Sequence, residues 1–328
     1  MSSMSSGRVS VSPFRATGDV TLEELQDGLA KLPPDGGTQE AGWAEFDPQD
    51  INLRSYGTQP PSTSPPRILD AEGVYPKRLI ARYYFWSYDG RREALLTAAG
   101  MSPSDLEVRQ LDAVDVIISE EGNSEGFLVL VSSRTESEIG AVLASLRSVF
   151  SSIDEDSSLA ETTRSSLHVG SGDFFLWLVE RKETAGQIHG DLTIATATAL
   201  DTRDSSSRLN LLKNDIDSNR VAFLTAVVDG DDLGPLRFSI RIPSVPARIA
   251  LQLWADGSFV LLTSDTHYSL RANVENEPVQ AVHDLAYKHL PALIAAHSAD
   301  TEWPSFRRKE FRKAARKKLA KRYAGKRT

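Results

Sequence analysis

The sequence predicts an α+β fold. Three observations carry that expectation: helical periodicity behind two capping signals, short strand-like runs separated by turn residues, and a second half dominated by consecutive strands.

Taken in order, residues 1–66 are rich in Ser, Pro, Gly and Thr and poor in β-branched apolar residues, so they are expected to form a disordered arm. Within it Thr21 and Glu24 have capping-box spacing. Leu22, Leu25, Leu29 and Leu32 then recur with helical period until Pro33 and Pro34, which predicts a short helix at 21–32. Such a helix is expected either to bind a protein partner through its leucines, with Trp43 and Phe46 as further anchors, or to dock on the protein's own body.

The α+β body is expected over 67–300, with 67–182 and 183–300 as candidate subdomains. A strand at 78–87 holds Tyr83, Tyr84, Phe85 and Trp86, and a helix follows at 91–99. Strands at 113–119 and 127–132 flank the polar turn 120–126, a hairpin pattern. Thr135 and Glu138 open a helix to 150 whose Ile139, Val142, Leu143, Leu146, Val149 and Phe150 form one apolar face. The run 173–180 reads as a buried strand, which completes a ferredoxin-like βαββαβ order across 78–181. Beyond it the pattern gives a strand at 191–200, a helix at 207–217, and strands at 221–228, 236–242, 248–254 and 258–263. This mainly antiparallel β region ends in a helix at 278–297, interrupted by Pro291.

The net charge of −8 conceals an asymmetry: residues 305–328 hold twelve Lys or Arg against Glu310 alone, about +11, leaving about −19 on residues 1–304. The absence of cysteine removes disulfide and thiolate chemistry and fits a reducing compartment. With no membrane-length apolar run and no leader-like start, the protein is expected to be cytoplasmic, without membrane insertion.

The segment 301–328 is expected to be a basic helix or tail. Arg307, Arg308, Lys309, Arg312, Lys313, Arg316, Lys317, Lys318, Lys321 and Arg322 surround most of it, and Phe311, Ala315, Leu319 and Tyr323 leave one apolar stripe. A cationic helix neutralises phosphates with little regard to sequence, which points to nucleic acid; docking on an anionic membrane or on the acidic body are the competing uses. The first expectation is therefore a non-catalytic binding or adaptor protein that uses this helix for phosphate contacts, with a protein partner on the arm or body.

A second expectation is a metal-dependent nuclease with Asp115 and Glu180 as carboxylates and Lys182 polarising the attacking water, since Glu180 and Lys182 share a face if 173–182 is a strand. A third is a structural subunit of an assembly. Tyr83, Phe85 and Phe127 are weighed as a base-stacking platform, but aromatics in apolar strands are more often core. Arg237 and Arg241 share a strand face with Ser239 and read as a solvated face able to extend a phosphate surface. Asp229, Asp231 and Asp232 read as a turn, and His267, His283 and His289 lack metal-ligand spacing. No nucleotide loop, nucleophile elbow or dinucleotide fingerprint is present, and no cofactor or resident metal is expected.

Overall fold

The computed structural model describes residues 7–45, 62–121, 126–160, 165–184, 187–190, 192–203, 209–213, 221–229, 232–269, 274 and 276–324. The fold is α+β, and the chain divides into two compact units, Met1–Ser166 and Leu167–Thr328. The division thus falls at 166/167 rather than at 182/183.

Unit 1 is built on an antiparallel sheet. Its strands are β1 (Arg8–Thr17), β2 (Gly42–Ala44), β3 (Arg67–Leu69), β4 (Arg78–Tyr88), β5 (Arg109–Glu120), β6 (Phe127–Val131) and β7 (Ser158–Ala160). They run in the order β7-β1-β6-β5-β4, with β2 and β3 both paired to the outer edge of β4. Helices α1 (Leu22–Ala30) and α3 (Glu136–Ile153) share a core with one face of this sheet, while α2 (Gly90–Ala98) connects β4 to β5. Strand alternation supplies the sheet side of that core: Leu79, Ala81 and Tyr83 from β4, Val114, Val116 and Ile118 from β5, Val129 and Val131 from β6. The predicted apolar face of α3 supplies the helix side, with Val142, Leu143, Leu146, Val149 and Phe150 all buried.

Two expectations are corrected here. Residues 8–45 are not an arm: β1 crosses the sheet edge between β6 and β7, and α1 buries Leu22, Leu25 and Leu29 completely in the core of its own unit. The capping box forms as expected, Thr21 Oγ1 accepting from the Glu24 N–H (3.2 Å) and Glu24 Oε2 accepting from the Thr21 N–H (2.9 Å). The other arm residues, 1–6 and 46–61 including Phe46, lie outside the described residues. Nor is a ferredoxin-like unit formed. β4, β5 and β6 pair in chain order as a meander, and the segment expected as the last strand is helical.

Unit 2 opens with that helix, α4 (Gly172–Thr184), followed by β8 (Gln187–His189), β9 (Leu192–Arg203), β10 (Leu209–Lys213), α5 (Val221–Asp229), β11 (Asp232–Ile242), β12 (Ala247–Leu253), β13 (Phe259–Leu262) and β14 (His267–Tyr268). The strand order is β10-β9-β11-β12-β13, all antiparallel, with β8 on β9 and β14 on β12. Helix α6 (Glu277–Asp284) continues through a π-helical turn at Leu285–His289 into α7 (Leu290–Ala299), and a second such turn at Trp303–Arg307 leads into α8 (Arg308–Ala324). Pro291 directly follows the π-helical turn Leu285–His289, the local change in helix geometry at which the chain takes up the proline. Asp229 ends α5 and Asp232 begins β11, so the acidic turn joins a helix to a strand; Asp231 lies outside the described residues. Two sequence expectations invert: 221–228 is the helix α5, and 209–213, inside the expected helix 207–217, is the strand β10.

α4 packs on β9 and β11, and Gly234 permits the closest approach, since the Phe175 ring occupies the place a Cβ would take at a φ of 125°. Among the described residues no helix is long and apolar enough to cross a membrane.

Candidate nucleic-acid interface

The candidate site comprises α8 and what holds its first turn. Arg-Lys-Glu-Phe-Arg-Lys-Ala-Ala-Arg-Lys-Lys-Leu has the composition of a strong helix former, and its apolar stripe gives it a docking edge. α8 packs on α5 with Ala315 buried and Phe311 and Leu319 half-buried, while Tyr323, the last residue of the stripe, stays exposed. The rest of the helix surface is cationic: Lys309, Lys313, Arg316, Lys317, Lys318, Lys321 and Arg322 are exposed, and Arg312 is half-buried at the margin. Lys313 meets Glu310 at 3.2 Å, an exposed i,i+3 pair of small energetic consequence.

Arg307 and Arg308 have a different role from the eight basic residues that follow them among the described residues. Arg307 forms a fork on Glu180, with Nε donating to Oε1 at 3.2 Å and Nη2 donating to Oε2, and Nη1 donates to Asp300 Oδ2 at 2.7 Å. Arg308 Nη1 donates to Asp173 Oδ1 at 3.2 Å. Two tryptophans complete the arrangement: Trp303 Nε1 donates to Asp173 and Trp177 Nε1 donates to Asp300, both at 2.8 Å. His297 lies 3.7 Å from the Asp173 carboxylate and meets the rings of Phe174 and Trp177 edge-on. Ser171 Oγ, accepting from the Asp173 N–H at 3.3 Å, caps the turn that presents Asp173. α4 is thereby clamped to the entry of α8 by carboxylates, guanidiniums and indoles.

The electrostatics follow from these contacts. Burial disfavours an ionised Asp173, but hydrogen bonds from His297, Trp303 and Arg308 outweigh it and hold its carboxyl at about 2. Asp300 follows the same logic, burial opposed and overcome by Trp177 and Arg307, so its carboxyl lies below the usual range. The Glu180 fork pushes the Arg307 guanidinium further up, against the opposing effect of burial.

The nuclease residues are not arranged as expected. Asp115 belongs to unit 1, on β5, directly opposite Arg82 on β4, and the two form an ion pair of 2.6 Å with side chains only 2% and 1% exposed. Burial opposes the charge on Arg82, and Asp115 with Tyr84 outweighs it. Glu180 belongs to unit 2 and is held by Arg307. Because 173–182 is helical, Lys182 stands two positions from Glu180 and off its face, so the shared-face argument fails. Among the described residues no group of three His, Asp or Glu side chains is placed to hold a metal ion.

The remaining candidates fall as follows. Leu22, Leu25 and Leu29 are core, and Leu32 is 43% exposed at the end of α1. Tyr83 and Phe127 are buried, with Tyr83 packed on Trp43 at 4.8 Å and Phe127 on Phe150 at 5.9 Å, so neither offers a face to a base. Arg237 and Arg241 do share the polar face of β11; Arg237 is paired to Asp265 at 3.0 Å. The clamp residues Asp173, Trp177, His297, Asp300 and Trp303 carry no motif spacing, and only Asp300 and Trp303 stand beside the basic run in the sequence. The chain matches no protein-family model and no curated protein.

Proposed function

We propose that this protein is a non-catalytic nucleic-acid-associated adaptor that engages phosphates through the outward face of α8. The observation that carries the reading is the cationic face itself. Seven basic side chains on one helix are exposed, while the two at its base are spent on holding the helix to α4. An exposed helix face of this charge displaces counterions from a phosphate backbone and reads no base sequence.

Lys309, Lys313, Arg316, Lys317 and Lys321 point farthest from the buried Ala315 edge by helical geometry. If all five meet phosphates, log affinity against log salt on duplex DNA has a slope of about −4 to −5. Changing the five to Gln is expected to remove most of that slope, with folding unaffected because the side chains are exposed. Scrambling the DNA sequence should change little. Equal, salt-insensitive affinity of wild type and the five-Gln variant overturns the reading.

A further inference from the structure

A second cationic feature of unit 2 lies away from α8, on the polar face of its sheet. Strand register sets Arg241 of β11 directly opposite Arg248 of β12, and Arg248 directly opposite His267 of β14. Cβ atoms of such cross-strand pairs are about 5 Å apart, and like charges so placed destabilise the sheet unless something neutralises them. Neither arginine meets a carboxylate among the described residues. Their neighbour Arg237, on the same face, does: it is paired with Asp265. The Arg248 guanidinium is instead oriented by two neutral hydroxyls, Ser239 Oγ at 3.3 Å and Thr196 Oγ1 at 3.4 Å, which themselves share a hydrogen bond of 2.7 Å.

These side chains border an open depression in the sheet surface. Arg241, Arg248 and His267 line a pocket of about 480 Å³ together with Pro243, Pro246 and Ser269. That volume is within the range of small-molecule sites, and its donors, two guanidiniums and an imidazole, come from three adjacent strands rather than one planar fork. A flat carboxylate is satisfied by a single guanidinium. Donors from three strands lining one pocket suit a tetrahedral dianion, and the proline walls suit an apolar body attached to it.

We propose that this pocket binds a small phosphate monoester, its phosphoryl group held by Arg241, Arg248 and His267 and its organic part seated against Pro243 and Pro246. The site is independent of α8.

The test titrates the full chain with inorganic phosphate, phenyl phosphate and benzoate at constant ionic strength, followed by calorimetry and by amide chemical shifts. Phenyl phosphate is expected to saturate and to bind several-fold tighter than inorganic phosphate. R241Q and R248Q are each expected to weaken it by about tenfold or more. The five-Gln α8 variant is expected to bind it as wild type does, so failure here and failure of the nucleic-acid reading are distinguishable. Should R248Q not fold, R241Q and H267Q carry the test, because both of those side chains are exposed. The proposal is overturned by absence of saturation up to about 10 mM, by unchanged affinity in the arginine variants, by loss of binding in the α8 variant instead, or by benzoate binding as tightly as phenyl phosphate.

Discussion

Replacing Asp173 by Asn asks whether the clamp at the base of α8 is held by charge. Burial opposes ionisation of this carboxyl, yet His297, Trp303 and Arg308 bring it from 3.8 to about 2. With the Asp173 side chain 24% exposed, a shift of that size corresponds to roughly 2 kcal/mol of folding free energy. Because the folded value is the depressed one, the stabilisation is complete above the unfolded value of 3.8 and is lost as pH falls through about 2. D173N retains an oxygen for Trp303 but gives up the charge facing His297 and Arg308. Urea midpoints compared at constant slope should therefore place the variant about 2 kcal/mol below wild type near pH 7, and the gap should close on approaching pH 2. Equal midpoints at pH 7, or a gap undiminished in acid, would refute an electrostatic clamp.

Three further outcomes are expected. R82M should cost about 3–5 kcal/mol because it removes the guanidinium that neutralises a buried Asp115, and the double variant R82M/D115L should recover most of that loss; a double variant no better than the single one contradicts the pairing. L146A, at a fully buried position of α3, should cost about 2–5 kcal/mol by chemical denaturation, and a change under about 0.5 kcal/mol would mean the face is wrongly placed. G28A should destabilise despite the better helix propensity of alanine, since its Cβ would fall 2.7 Å from Val149 Cγ1; pairing it with V149A should relieve the clash, and a stabilised G28A single variant would show that α1 and α3 have room to part.

What was legible in the sequence followed local chemistry. The capping box of α1, the apolar stripe of α3 and the β5–β6 hairpin were all readable because each is specified by residues a few positions apart. Two of the failures, at α4 and α5, share one cause. Phe174-Phe-Leu-Trp-Leu-Val179 is continuously apolar and 221–228 is broken only by Thr225, and a helix without a polar face has no periodicity to separate it from a buried strand. β1 was missed for the opposite reason: Val9, Val11 and Phe14 are diluted by Ser, Arg and Pro, so a strand whose partners lie more than a hundred residues away looked like an arm. The basic helix was legible as charge, but the division between Arg307 and Arg308 on one side and the outward lysines on the other depends on Asp173, Glu180 and Asp300, which only tertiary structure brings near.

That division bears on the thermodynamics of any contact α8 makes. A free basic tail must order itself on its target and loses part of its binding energy in doing so; a helix already fastened at its root and seated along one edge has met that cost during folding. Lys309, Lys313, Lys317 and Lys321 recur every four residues, so they form a fixed row with a spacing of about 6 Å. Engagement of such a row should bring little gain in helical circular dichroism and only a small heat-capacity change, the signature of rigid docking and not of folding upon binding.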